Sequence, residues 1–336
     1  MRRRRFDCSQ QWGNNMRKLK TIFLSKNPEK IAEVYSPEQQ REIAEISKLL
    51  PEVVTPENFD RLDLTQVEAI FSTWGMMSFT GEQLAKLPKL EAVFYAAGAT
   101  DAFARPLFAR GIHLSSAWRA NAIPVAEFVL AQIVLSMKNY FAVSASLHRR
   151  GAWEQSLVGP GCYGECVALI GDGAVATRLR RMLENFDLEV LMIPSHPEER
   201  TIQFEEAFRR AFVVSNHLPN RDDNKKVLTR EMFLSMRPHA TFINTGRGAQ
   251  VDGAGLIEAL KARPDLTALL DVTCPEPPDE GSELYTLPNV HLSPHIAGSL
   301  NDEVHRMARL AIDEYKRYAA GEALEHEVVE EMLMTH

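Results

Sequence analysis

Three charged side chains in the second half of the chain have the chemistry needed to reduce a small 2-oxo acid. Arg247, Glu276 and His295 each come shortly after a short apolar run. Arginine's planar fork suits a substrate carboxylate. A histidine can give the carbonyl oxygen its proton near neutral pH as hydride arrives, and a carboxylate can orient that histidine and hold it protonated. The predicted catalytic residues are therefore Arg247 as the carboxylate ligand, His295 as the proton donor and Glu276 as the partner of the histidine.

Each of the three also has a purely structural interpretation. Arg247 could pair with Asp271, Glu276 between its two prolines could be a solvated loop carboxylate, and His295 could be a half-buried histidine. The catalytic interpretation depends on all three occurring together, after a loop suited to a dinucleotide.

That loop is a glycine-rich turn. Cys166–Ile170 has the character of a buried strand, and the pattern GxGxxA follows at once, from Gly171 to Ala176. Gly171 permits a tight turn, Gly173 lets the backbone approach a pyrophosphate, and Ala176 lets the next helix pack closely. The glycines could instead only shape a turn. The helix that follows, and the strand 188–193 after it, favour a site for NAD or NADP.

The choice between NAD and NADP stays open at this stage. An acidic residue normally ends the second strand of such a unit and binds the ribose hydroxyls. Here Pro194-Ser195-His196 stands in that place, and Glu198 and Glu199 come slightly late. A 2′-phosphate would meet less repulsion without the carboxylate.

Alternating strands and helices must position these residues. The pattern predicts a parallel α/β sheet, because short apolar runs alternate with segments of helical spacing. The predicted strands before the glycine-rich turn are 20–24, 67–71, 90–95 and 112–116, and the predicted helices include 37–50, an apolar one from an Asn121 cap to about Tyr140, and a last one from about 301. The apolar helix is expected to be buried and to connect two domains.

Bulk properties exclude some partners. The chain has 336 residues and a net charge of −7, which disfavours nucleic acid. The four arginines after Met1 are followed by polar residues, so we expect no export signal, no membrane span and a cytoplasmic location. Cys162 and Cys166 could be half of a zinc site, but no second pair follows, so no metal is expected.

Together these motifs resemble the D-isomer-specific 2-hydroxyacid dehydrogenases, which include glyoxylate/hydroxypyruvate reductases and phosphoglycerate dehydrogenases. The matching stretches lie in the family's order: 125–127, 171–176, 244–248, 271–272 with 276–277, and 294–298. The resemblance implies two doubly wound α/β domains, a Rossmann dinucleotide domain (119–298) inserted into a flavodoxin-like substrate domain (19–118 and 299–336). It also implies a homodimer. Residues 1–18 are expected to be a disordered tail.

The resemblance also assigns roles. The family's arginine, glutamate and histidine correspond to Arg247, Glu276 and His295. Residues expected to contact the dinucleotide are Gly171, Gly173, Ala174, Val175, Ser195, His217, Pro219, Thr245, Asp271 and Gly298. The substrate carboxylate is expected at Arg247 and at the loop Ala97, Gly98 and Ala99.

Several interpretations remain open. His217 either lines the cofactor cleft or serves the fold, and Trp118 and Trp153 either wall the site or pack in a core. Few cations lie in the Ala97–Ala99 loop, which disfavours a phosphorylated substrate, although Arg119 weakens that argument. A catalytically silent, dinucleotide-sensing scaffold, as in the C-terminal-binding-protein corepressors, is the alternative function.

Overall fold

A computed structural model describes residues 16–147 and 159–335. Trp153 and the first fifteen residues of the predicted tail lie outside the described residues. The chain divides into two compact units. Unit 1 combines the residues up to 121 with 300–334, and unit 2 contains residues 122–299.

Unit 1 is built on a parallel sheet of five strands in the order β2-β1-β3-β4-β5. The strands are β1 (Lys20–Leu24), β2 (Lys48–Leu49), β3 (Ala69–Ser72), β4 (Ala92–Tyr95) and β5 (His113–Ser116), and its helices are α1 (Pro28–Val34), α2 (Pro37–Ile46), α3 (Gly81–Ala85), α4 (Ala104–Phe108), α11 (Val304–Ala319) and α12 (Met332–Thr335).

Both faces of this sheet are covered. Phe23 and Phe94 point into a core that includes Tyr315 of α11. Ile22 and Val93, their neighbours along the strands, lie in a second core on the opposite face. Successive strand side chains point to opposite faces, so a strand covered on both sides has to be apolar throughout. Because both faces of these strands are covered, the strands can be recognised in the sequence as apolar runs.

Helix α2 ends earlier than its apolar spacing predicts. Ser36 caps its start, with a reciprocal bond between the Ser36 backbone and the Gln39 side chain. The helix ends at Ile46, and Lys48–Leu49 forms strand β2 beside β1. The predicted helix to Leu50 is therefore wrong over its last four residues, because pairing with the sheet overrides the local spacing.

Unit 2 is a parallel sheet of six strands in the order β11-β10-β9-β8-β6-β7. The strands are β6 (Glu165–Ile170), β7 (Leu188–Ile193), β8 (Val213–Asn216), β9 (Thr241–Asn244), β10 (Thr267–Leu270) and β11 (Val290–Leu292), and the helices are α5 (Trp118–Ser136, entering from unit 1), α6 (Tyr140–Ser146), α7 (Ala174–Leu183), α8 (Phe204–Arg210), α9 (Arg230–Leu234) and α10 (Gly253–Ala262).

The strand order contains one reversal. From β6 the chain first adds β7 on one side and then returns to add β8 on the other. In an open α/β sheet, ligands bind at the carboxyl ends of the strands flanking such a reversal. The loops after β6 and β8, which begin at Gly171 and His217, therefore frame the expected ligand position.

The long apolar helix differs from its prediction in three ways, the first being that it ends at Ser136 rather than near Tyr140. It starts at Trp118, three residues before Asn121, whose backbone N–H already donates to Ala117 O at 3.0 Å. Only one side, including Val129 and Ile133, packs in the core of unit 2. Leu135 on the other side is exposed, so the expectation of burial all round is wrong.

By length and composition, α5 is the one helix among the described residues that could cross a membrane. A core helix of a globular domain passes the same test, and the packing of Val129 and Ile133 in the core of unit 2 fits that second case.

The residues just before β1 are held in unit 1, although the sequence assigns them to a tail. The backbone N–H of Arg17 donates to Ala319 O at 2.9 Å, and Met16 packs against the core around Tyr315.

Candidate active site

The glycine-rich turn approaches the neighbouring loop closely. Gly171 has φ +105°, and a Cβ there would lie 2.7 Å from His217 O. A Cβ on Gly173 would meet nothing within 4 Å, so the turn is open on that side. Helix α7 starts directly after Gly173 without a side-chain cap. Its first N–H groups therefore suit an anionic group, and these residues fit a dinucleotide pyrophosphate.

His217, whose carbonyl lies next to Gly171, has a buried, uncharged side chain. Burial lowers its pKa to about 3. Its Nε2 lies 2.9 Å from Ser215 Oγ and its Nδ1 lies 3.4 Å from Thr245 Oγ1. The neutral imidazole of His217 therefore links Ser215 to Thr245, and Thr245 is also a predicted cofactor residue.

A network of buried amides lies beneath the loops after β8 and β9. Asn216 Nδ2 donates to Asn244 Oδ1 at 2.9 Å and to Gln250 Oε1 at 2.6 Å. Gln250 Nε2 in turn lies 2.7 Å from the carbonyl oxygens of Leu218 and Pro219. Sequence reasoning missed these amides. A signal was available for Asn216 and Asn244, because each ends a short run with the character of a strand, but none was available for Gln250.

The network also fixes the arginine loop. Gln250 Oε1 accepts the backbone N–H of Arg247 at 3.0 Å, and Asn244 Oδ1 accepts that of Gly246 at 3.2 Å. The Arg247 side chain is half-buried, and its Nη1 donates to Gly246 O at 2.8 Å. One edge of the guanidinium is thus anchored on its own loop, which fixes its direction.

The loops that carry Arg247 and Glu276 are in direct backbone contact. A Cβ on Gly248 would overlap the carbonyl group of Thr273. Only glycine allows this approach, so the backbone after Arg247 lies against the backbone that leads to Glu276. Strands β9, β10 and β11 are neighbours in the sheet, which places all three predicted catalytic loops at one edge.

Asp271 organises the histidine loop. Its carboxylate is 3% exposed and accepts the Ser293 hydroxyl at 2.5 Å and the backbone N–H groups of Ile296 and Ala297 at 2.9 and 3.0 Å. The backbone N–H of His295 donates to Asp271 O at 3.0 Å. These bonds shape the loop from inside; contact between Asp271 and the cofactor stays a prediction.

His295 and Glu276 form a pair. Nδ1 of His295 lies 2.6 Å from Glu276 Oε1, and the two side chains are 51% and 42% exposed. With Nδ1 occupied, Nε2 is the nitrogen left for a substrate. His295 has φ +54°, a left-handed conformation that is uncommon for a residue with a side chain.

The remaining residues predicted to contact the cofactor lie at the start of α7 and in loops that follow strands. Ala174 and Val175 begin α7, Ser195 is buried after β7, and Pro219 and Gly298 are half-buried in their loops. These positions do not test their cofactor roles.

The predicted substrate loop lies in unit 1, after β4. The Ser116 hydroxyl lies 2.8 Å from Ala97 O and 2.6 Å from Gly98 O, and the backbone N–H of Ala117 also donates to Ala97 O. Ala99 is exposed at the turn. The loop is thus held by its own unit.

One group of three metal-type ligands occurs among the described residues. Ligand atoms of Glu314, Glu325 and His326 lie within 4.8 Å of one another. The buried Glu314 carboxylate already accepts the backbone N–H groups of the other two and lies 3.6 Å from Arg317 Nε, so the protein itself satisfies it. Cys162 and Cys166 are free thiols.

Known proteins resemble this chain over the region that carries the candidate site. The family model described as the D-isomer specific 2-hydroxyacid dehydrogenase, NAD binding domain, matches residues 130–297. That stretch is half of the chain and carries the glycine-rich turn, Arg247, Glu276 and His295.

The chain belongs to the D-isomer specific 2-hydroxyacid dehydrogenase family.

Relatives of this dehydrogenase cover most of its length. A glycerate dehydrogenase from Methylorubrum extorquens is 27% identical over 80% of this chain and 87% of its own. A glyoxylate reductase from Thermococcus litoralis is 28% identical over 72% of this chain and 77% of its own. The structure of apo D-mandelate dehydrogenase from Rhodotorula graminis has a TM-score of 0.77, with 20% identity over 93% of this chain and 98% of that one.

The structural likeness confirms the predicted fold of two parallel-sheet α/β domains with a Rossmann fold. Family membership makes the protein an oxidoreductase that uses NAD or NADP and acts on the CH–OH group of a 2-hydroxy acid. Family membership does not by itself assign roles to individual residues.

Proposed function

We propose that this dehydrogenase reduces a small, unphosphorylated 2-oxo acid to the D-2-hydroxy acid, with His295 as proton donor. The observation that carries the proposal is the 2.6 Å contact between His295 Nδ1 and Glu276 Oε1, which directs Nε2 away from its carboxylate partner. The bound nicotinamide supplies or accepts the hydride.

The chain's own groups divide the remaining work. Arg247 binds the substrate carboxylate with the part of its guanidinium not used by Gly246 O. As hydride reaches the carbonyl carbon, the oxygen takes a proton from Nε2 of the His295 imidazolium. The imidazole left behind regains a proton from solvent. Glu276 keeps the ring in the orientation that this transfer requires.

The two units have different roles in this proposal. Unit 2 holds the dinucleotide at Gly171, Gly173 and the start of α7. In unit 1, the Ala97–Ala99 loop stays the predicted substrate-binding segment. That loop carries no lysine or arginine, which favours a substrate the size of glyoxylate, hydroxypyruvate or pyruvate over a phosphorylated one.

We also propose a homodimer formed through unit 2, working in the cytoplasm. Leu135 on α5 and Tyr140 at the start of α6 are exposed apolar side chains of the kind that oligomer interfaces cover. Light scattering coupled to size exclusion tests the assembly, and a monomer at micromolar concentration would exclude it.

The experiment that tests the function is a screen of the purified protein with NADH or NADPH and each of glyoxylate, hydroxypyruvate and pyruvate. We expect loss of the reduced-nicotinamide absorbance with at least one pairing, and the D-hydroxy acid as product on chiral chromatography. No absorbance loss with any pairing, or an L-product, would count against the proposal.

A further inference from the structure

The residues that follow strand β7 differ from those of an NAD-specific unit. In an NAD-specific unit a carboxylate at this point binds the two ribose hydroxyls. In a unit that binds NADP, an arginine nearby accommodates the 2′-phosphate. Here Pro194, Ser195 and His196 follow the strand, and we call these three residues the β7 tip. The tip itself carries no carboxylate.

A guanidinium fixes the backbone of the β7 tip. Arg200 Nε donates to Pro194 O at 2.9 Å, and its Nη2 donates to Ser195 O at 2.6 Å. The same guanidinium lies over the Phe204 ring, 3.7 Å from the centroid. Stacking and two hydrogen bonds hold a positive charge under the tip.

A second guanidinium reaches the tip from another loop. Arg221, after β8, places Nη1 at 3.1 and 3.3 Å from the two ring nitrogens of His196. Its Nε and Nη2 are held by Asp223, and its side chain is only 7% exposed. Arg221 is therefore oriented before any ligand arrives, which lowers the entropy lost on binding a phosphate.

Four carboxylates also face this cluster, one of which is Glu205 near the Arg200 guanidinium. Asp172 Oδ1, on the glycine-rich turn, accepts the backbone N–H of Ser195 at 3.3 Å, so one of its oxygens is bound to the tip. Glu198 lies 3.7 Å from His196 and is 73% exposed, and Asp223 is 58% exposed. Glu198 is screened by water, which weakens its repulsion of a phosphate, whereas Asp223 stays paired with Arg221 and holds that guanidinium in place.

We propose that this dehydrogenase binds NADPH in preference to NADH, with Ser195, His196 and Arg221 holding the 2′-phosphate. The inference rests on the proposed function, since it requires the dinucleotide to lie across Gly171 and Gly173. The serine hydroxyl and the imidazole donate hydrogen bonds, Arg221 supplies a charged donor, and Arg200 supports the backbone that carries the first two.

The test is binding without any substrate, so activity is not needed. NADPH and NADH are titrated separately into the full protein, and the fluorescence of the reduced nicotinamide reports the dissociation constant. We expect NADPH to bind at least about 10-fold more tightly than NADH, which corresponds to one charge-assisted hydrogen bond.

Three variants locate the effect. Arg221→Gln and His196→Gln should each weaken NADPH binding by about 10-fold or more and change NADH binding less than about 3-fold. If Arg221→Gln lowers the melting temperature, His196→Gln carries the test alone. Arg209→Gln is the matched control: it removes one exposed charge near Arg210, which pairs with Glu189 at the other end of β7, and should change neither constant.

The proposal is overturned if the unaltered protein binds NADH as tightly as NADPH, or if His196→Gln weakens both nucleotides equally. Those results would leave the proposed function intact. If the protein binds neither nucleotide, both the NADPH preference and the proposed function are contradicted.

Discussion

The His295 imidazole and the Glu276 carboxylate meet across two separate loops, with Nδ1 and Oε1 2.6 Å apart. The histidine loop is shaped by the buried Asp271, whereas the glutamate loop lies against Gly248. Two sets of contacts therefore hold the pair, and each set can be tested.

Replacing Glu276 with glutamine removes the charge beside the imidazole while keeping the side chain's size. We expect kcat for 2-oxo acid reduction to fall by about 10–100-fold, the usual range for an outer partner of a functional histidine. KM and dinucleotide affinity should change little, because Glu276 acts through His295. Glu280→Gln, an exposed acid four residues on, is the control; a loss of kcat there of similar size would contradict the assignment.

Replacing His295 with asparagine should abolish most of the reaction without disturbing the fold. Asparagine tolerates the left-handed backbone at φ +54°, so the loop should form. General acid catalysis is worth about 10²–10⁴ in rate, and kcat should fall by that factor. His239→Asn makes the same change at φ +63° in another loop and should keep full activity. Retention of more than a tenth of the rate in His295→Asn would remove the histidine from the chemistry.

Replacing Arg247 with lysine exchanges a planar fork for a point charge. We expect kcat/KM for the 2-oxo acid to fall by about 10²–10⁴, several kcal/mol of transition-state binding. The methyl ester of the same substrate has no carboxylate to lose, so wild type and variant should use it equally poorly. Should the variant lose the same factor on the ester, Arg247 would not be the carboxylate ligand. Arg209→Lys serves as the control.

The two glycines of the turn should respond differently to alanine. Gly171→Ala forces a Cβ to within 2.7 Å of His217 O at φ +105°, and we expect a stability loss of about 1–3 kcal/mol in denaturant titration. Gly173→Ala meets no protein atom within 4 Å, so stability should be unchanged or slightly higher. Dinucleotide affinity should nevertheless fall, since the methyl group occupies the pyrophosphate's path. Equal effects of the two variants on stability would contradict the structure.

His217 should make the protein less stable in acid. Its folded pKa is about 3, well below the value of about 6.5 in an unfolded chain. Between those values the unfolded state binds the extra proton, so stability falls as pH drops from about 6.5 toward 3, by at most about 1.4 kcal/mol per pH unit. The free energy of unfolding of His217→Gln should fall less steeply between pH 7 and 5. Parallel curves for the two proteins would contradict the assignment.

Much of the fold was readable because both faces of each sheet are covered. In the strand Lys20–Leu24 the last three residues are apolar for that reason, and its predicted bounds match β1. Helix α2 shows the limit, since Leu49 and Leu50 fit its apolar stripe but lie in and beside a strand. Spacing within one segment cannot report a pairing partner elsewhere in the chain.

The pair at Glu276 and His295 was predictable because both follow strands at one sheet edge. The amides of Asn216 and Gln250 were missed, since they lie 34 residues apart and carry no motif. The clamp of Arg200 on the β7 tip was equally hidden, because its acceptors are backbone carbonyls, which every residue has.

The contact between Gly248 and Thr273 limits how this enzyme can be redesigned. An insertion in either loop would push its neighbour and shift both the carboxylate clamp and the histidine's partner. Under the proposed function, a protein engineer who wants a new substrate would leave unit 2 alone and vary Gly98 and Ala99, whose loop is anchored separately by Ser116.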